Sequence, residues 1–202
     1  ALWWLVWRVT AETFLPSALF TFGPRWVVLL PAAVLVPLAL WTSRRALGVL
    51  AVGLCVVVAR RYRNDPTVIG VDLHNEPHDP ATWGDGNAAT DWRLAAERAG
   101  NAIQAVHPDL LIIVEGIQTY GGQSYWWGGN LAGAAAKPVR LNVAAHLVYS
   151  PHDYPASVYA QSWFSAANYP NNLPGVWDAA WGSLAKTGAA PIWVAIAMKR
   201  AE

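Results

Sequence analysis

The feature that most constrains this chain is an abrupt change of texture at Arg60. Residues 1–59 hold only five charged side chains, Arg8, Glu12, Arg25, Arg44 and Arg45, with no Asp, Lys or His. Residues 60–202 hold the other ten basic and twelve acidic residues and all five histidines. Chemistry that needs carboxylates or imidazoles therefore lies almost wholly in the second part. In the first part, Trp26–Trp41 is sixteen residues without a charge, and a Trp at each end suits an interfacial belt. Ala46–Ala59 adds fourteen more uncharged residues. Each run is shorter than the roughly 20 residues that span a bilayer. Residues 1–59 read as a hydrophobic helical, membrane-like segment, with membrane contact expected through residues 26–59. A buried helical pair in a larger protein is the plainer alternative.

The averages blur this division. The chain is 54% hydrophobic and 13% charged, too apolar for a disordered chain. A formal net charge of +1 lacks the basic excess of a nucleic-acid-binding protein. One cysteine, Cys55, excludes an internal disulfide framework and a cysteine zinc site.

Beyond Arg60 the pattern alternates. Short β-branched or apolar runs predict buried strands at 67–73, 110–114, 142–149 and 190–194. Apolar residues at helical spacing predict helices at 91–106, capped by Thr90 or Asp91, and at 178–187. Such alternation indicates an α/β chain with a parallel sheet and crossover connections. Polar and aromatic residues collect after each strand, which in an eight-stranded β/α barrel is the active-site face. About four strands do not close a barrel of eight.

Three clusters could carry chemistry. Glu76 follows the first strand between Asn75 and Pro77, where a carboxyl group suits a general acid/base. His152 and Tyr154 follow the third and, two apart on extended backbone, point to one side. Tyr125-Trp126-Trp127-Gly128-Gly129-Asn130 offers flat aromatic faces on which sugar rings stack. Taken alone, each has a plainer reading: a turn carboxylate, a loop histidine with a half-buried tyrosine, and tryptophans packed under a loop.

Together they are more specific. The stretch RRYRNDPTVIGVDLHNEPHDPATWGDG, then LLIIVEG, SYWWGGNL and VYSPHDYP, closely resembles the bacterial endoglucanases of glycoside hydrolase family 5. The resemblance runs from about Arg60 to Val194 and implies part of a (β/α)8 TIM barrel, about strands 4–7. It implies retaining hydrolysis of β-1,4-glucans with Glu76 as acid/base. Asn75 would contact the 2-hydroxyl and the nucleophile, and His152 and Tyr154 would form the family's H-x-Y pair. Trp126 or Trp127 would stack on glucose, and Glu115 would support the site floor. A β-glucan partner, an extracellular setting and no cofactor, metal or nucleic acid follow from the same resemblance.

The pattern breaks at both ends of this region. The family's nucleophile is a Glu in a G-E-F-G motif, and here Ile196 stands in its place, followed by a non-matching tail over 195–202. Before Arg60, AETFLPSALFTFGPRWVVLLP has a partial likeness to the membrane front of endonuclease/exonuclease/phosphatase-type membrane proteins. A chimeric or frame-shifted translation accounts for both breaks. The expected activity is therefore that of a severely impaired cellulase. The alternative is a non-catalytic, membrane-tethered carbohydrate-binding protein.

Overall fold

The computed structural model describes residues 44–196. The element order begins with helix α1 (Arg44–Arg61), strand β1 (Gly70–Asp72), helix α2 (Trp92–Gln104) and strand β2 (Leu111–Glu115). A hairpin of β3 (Thr119–Tyr120) and β4 (Gln123–Ser124) follows, then β5 (Leu147–Ser150) and β6 (His152–Asp153). Helices α3 (Leu173–Trp177) and α4 (Ser183–Thr187), joined by a π-helical segment at Asp178–Gly182, lead to β7 (Ala195–Ile196).

The apolar run Leu111-Ile112-Ile113-Val114 makes β2 the centre of a three-stranded parallel sheet ordered β1-β2-β5. The register pairs Val71 with Ile112 and Asp72 with Ile113, and on the other side Ile113 with Val148 and Glu115 with Ser150. Beyond β5, Tyr149 bridges Ile192 and β6 pairs in parallel with β7. Alternation along β2 decides which side chains meet which layer. Ile112 and Val114 are fully buried, and Ile112 meets α2 at Gly100. A β-carbon on Gly100 would come within 2.7 Å of Leu141 and 3.0 Å of Ile112, so the glycine sets the helix–sheet distance. Asp72, Ile113, Glu115, Val148 and Ser150 share the opposite face, with three polar side chains among them.

Helix α2 forms as predicted, and Asp91 rather than Thr90 caps it. The Asp91 carboxylate accepts the Leu94 N–H at 3.2 Å and also the N–H groups of Gly84 and Gly86 at 2.9 Å each. A buried face of Trp92, Ala96, Gly100 and Ile103 follows the helical period. Beside that face lie Glu97, Asn101 and the buried Gln104, which bond the backbone of residues 140–143. Gln104 accepts the Val143 N–H at 2.9 Å and donates to its carbonyl at 3.1 Å.

That side-chain ladder explains one correction. The strand expected over 142–149 is regular only at β5, because α2 holds residues 140–143 away from the sheet and 144–146 turn as a 3₁₀ segment. The strand expected over 190–194 is a single bridge there, and regular pairing resumes at Ala195–Ile196. The helix expected at 178–187 begins five residues earlier, at Leu173. The apolar run at 46–59 lies inside α1, whereas the run at 26–41 and the residues after Ile196 lie outside the described residues. Among the described residues no helix is long and apolar enough to cross a membrane.

Candidate active site

Because the sheet is parallel, β1, β2 and the β5–β6 strand deliver their following residues to one rim. Glu76 arrives there from β1, Glu115 ends β2, and His152 and Tyr154 come from β6. Glu76 sits in the left-handed region with φ of +52°, which side chains other than glycine adopt sparingly. Its N–H is held in that turn by Glu115 Oε2 at 2.7 Å. Its Oε1 receives the Tyr154 hydroxyl and lies 3.1 Å from His152 Nδ1. His152 Nδ1 is also 3.0 Å from the Tyr154 hydroxyl, while Nε2 lies 3.1 Å from Glu115 Oε1. Glu76, Glu115 and His152 thus close a ring of polar contacts, with Tyr154 bridging one edge.

The members differ in access. Glu115 is 0% exposed, and the side chains of His152 and Glu76 are 11% and 24% exposed. Trp92 anchors the strand end by donating its indole N–H to the Glu115 carbonyl at 2.9 Å. Gly128 completes the packing: a β-carbon there would strike Glu115 Oε2 and crowd the Glu76 Cα at 3.2 Å, and its φ is +69°. No larger residue fits between the two glutamates.

The charges shape the titration of the cluster. The Glu115 carboxylate facing the ring raises His152 above its ordinary value, against burial, with Glu76 adding to the rise. Burial, and then Glu76, raise the Tyr154 phenol, so it stays a donor. Asp72, on the same sheet face as Glu115, is pushed up to about 6, chiefly by burial and then by the Glu115 charge.

Beside Glu76 opens a cleft of about 720 Å³ lined by Gln118, Tyr125, Trp127, Tyr154, Tyr159 and Gln161, among others. Trp127 is 49% exposed and has one face stacked on His78, with ring centroids 4.3 Å apart. Trp126 also reaches the cleft wall but is only 6% exposed. Its N–H donates to Asp153 at 2.9 Å and its ring meets the Tyr154 edge at 5.2 Å. Of the two tryptophans read as stacking residues, Trp127 alone has an open face, and Trp126 instead buttresses Tyr154. The Asn75 side chain is exposed at the rim beside Glu76.

Known proteins match this parallel β/α segment over most of its described length. The family profile for cellulase (glycosyl hydrolase family 5) covers residues 53–195. The chain belongs to this family. An endoglucanase from Paenibacillus polymyxa is 57% identical over 141 residues, covering 68% of this chain and 36% of the relative. The major extracellular endoglucanase of Xanthomonas campestris is 50% identical over 139 residues, covering 65% and 28%. The solved catalytic domain of that Xanthomonas enzyme superposes with a TM-score of 0.66 at 45% identity, over 71% of this chain and 42% of the domain. A cellotetraose complex of an endocellulase from Pyrococcus horikoshii gives a TM-score of 0.66 at 40% identity, over 71% and 44%. This family 5 chain therefore spans about a third of the length of these curated relatives, and part of a (β/α)8 fold.

Two residues of the site carried no motif. Asp72 ends β1 in the run T-V-I-G-V-D-L, and only its pairing with Ile113 sets it on the Glu115 face of the sheet. Asp153, the middle residue of H-D-Y, is the half-buried acceptor that fixes Trp126. Its carboxyl is raised above the usual range by burial, a property of the fold that no spacing reveals.

Proposed function

We propose that this chain supplies the acid/base side and the sugar-binding cleft of a retaining β-1,4-glucanase, with Glu76 as the acid/base. The observation that carries the reading is Glu76 Oε1 at the floor of the aromatic cleft, held between the Tyr154 hydroxyl and His152 Nδ1. In retaining hydrolysis one carboxyl group protonates the leaving oxygen while a second, about 5 Å away, attacks the anomeric carbon. Glu76 suits the first role because it is partly open to the cleft and oriented by two polar neighbours. Glu115 does not suit the second. It is wholly buried, and its oxygens face the Glu76 N–H and His152. By the family's motif the nucleophile would stand at Ile196, whose side chain cannot attack a glycosidic carbon.

The expected behaviour is therefore binding of a β-1,4-linked glucose oligomer with negligible turnover. The same observation favours a second reading, a chain that binds glucan without a catalytic role, and the two part on residual turnover. Calorimetric titration of the full chain with cellotetraose, the sugar bound by the Pyrococcus endocellulase, tests both. Trp127→Ala is expected to weaken binding by on the order of 10-fold, the equivalent of about 1.4 kcal/mol. No heat of binding at millimolar sugar would sink both readings. Residual hydrolysis abolished by Glu76→Gln favours the impaired enzyme, since loss of one member of a catalytic unit leaves a small remainder. A polymeric substrate of this class lies outside the cell, and the Xanthomonas relative is extracellular. We read this chain as acting there too.

A further inference from the structure

His152 has a carboxylate oxygen facing each ring nitrogen: Glu76 Oε1 at 3.1 Å from Nδ1 and Glu115 Oε1 at 3.1 Å from Nε2. An ionised carboxylate only accepts, and a neutral imidazole has one N–H and one bare lone pair. One nitrogen of a neutral His152 must therefore face an acceptor without a proton. At Nδ1 a proton on Glu76 Oε1, 3.1 Å away, can fill that gap. At Nε2 nothing comparable exists among the described residues. Glu115 Oε1 is buried and faces Nε2 at 3.1 Å. The other oxygen of Glu115 is committed to the Glu76 N–H at 2.7 Å.

We propose that Glu115 is a positioning residue that keeps a proton on His152 Nε2 and so reserves Nδ1 as a proton seat facing Glu76. The inference rests on the reading of Glu76 as acid/base. When Glu76 carries its proton, His152 is neutral with its N–H at Nε2. A proton on Glu76 Oε1 can then pass to the Nδ1 lone pair 3.1 Å away and return, so the charge moves and no atom is gained or lost. Through Oε2 the same glutamate holds the left-handed turn that aims Glu76 at Nδ1. The charged and titratable groups facing His152 are Glu76 after β1, Glu115 on β2, Tyr154 after β6 and, at longer range, Asp72 on β1. The raised affinity of His152 for a proton, to which Glu115 is the largest contributor, agrees with this arrangement.

The test is long-range proton–nitrogen NMR of the full chain with ¹⁵N-labelled histidine between pH 5 and 9. His152→Gln identifies the signal among the five histidines. The expected wild-type result is a neutral form protonated at Nε2 and a midpoint above the ordinary histidine value. Glu115→Gln is expected to lower that midpoint by about 1 pH unit and to release the preference for Nε2. Glu115→Asp, which keeps the charge, is expected to restore the midpoint in part. A wild-type His152 protonated at Nδ1 in its neutral form would overturn the proposal, whether or not the Glu115 variants fold. So would a Glu115→Gln variant, shown folded by its amide spectrum, with unchanged midpoint and tautomer. These signals do not depend on sugar, so a failed cellotetraose titration counts against the glucanase reading alone.

Discussion

Glu76 carries its carboxyl group on backbone that costs roughly 1–2 kcal/mol for a residue with a β-carbon. A charge-assisted hydrogen bond from its N–H to a buried carboxylate is of the strength needed to offset that cost. Backbone strain thus falls on the residue proposed as the acid/base, as it commonly does at functional sites. Asp72 adds a pH dependence whose sign is fixed. Its carboxyl is raised to about 6 in the folded chain, so folding favours its protonated form. Stability from this group is fully present below its unfolded value of about 3.9 and is lost as pH rises through about 6. The raised His152 acts in the same direction, losing its contribution as pH rises through its elevated folded value. Thermal melts of the full chain at stepped pH should show Tm falling between about pH 4 and 7. Asp72→Asn should flatten that fall, modestly, because Asp72 is more than a third open to solvent. An Asp72→Asn variant with the wild-type slope would assign the dependence elsewhere.

Between residue and fold, the element that matters most is α2. One buried carboxylate, Asp91, accepts three backbone N–H groups and joins the loop at 84–86 to the first turn of the helix. The next residue, Trp92, then reaches the end of β2 and bonds the carbonyl of Glu115. The cap is thus two links from the site. Loss of a helix cap costs about 0.5–2 kcal/mol, and Asp91 gives up two further acceptor bonds. Asp91→Ala is expected to lower the urea unfolding free energy of the full chain by about 2 kcal/mol, while Asp91→Asn keeps part of it. A change under about 0.5 kcal/mol for Asp91→Ala would mean that the loop bonds contribute nothing net. The ladder of Glu97, Asn101 and Gln104 does the corresponding work along the flank of the helix, holding the approach to β5.

At the scale of the whole molecule, α1 presents exposed apolar side chains among the described residues. Val49, Leu54 and Val57 on α1 are 73%, 54% and 62% exposed, a run of apolar side chains open to solvent. Such surface marks membrane or protein contact, or aggregation. Residues 26–59 are expected to carry the full chain into the detergent phase in a cloud-point partition. Replacing Val49, Leu54 and Val57 by Gln should return part of it to water. A wild-type chain wholly in the aqueous phase would exclude membrane tethering through this segment.

Much was legible in the residues because the information is local. The periodicity of 92–104 and the Asp at its start define α2, and the run 111–115 defines the central strand. The order of motifs N-E-P, V-E-G, W-W-G-G and H-D-Y identifies the family. What the spacing could not settle were the outcomes of packing. Trp126 and Trp127 are chemically alike neighbours, and only the tertiary structure turns one inward to Asp153 and leaves the other open to the cleft. Residues 142–143 have strand propensity but stand off the sheet because amide side chains of α2 bind their backbone. Asp72 is an unremarkable aspartate until parallel register sets it on one face with Glu115. By itself the sequence determined which groups are present and the order in which strands deliver them. Tertiary structure decided which polar groups meet, because burial and distances near 3 Å arise only when segments far apart in the chain meet.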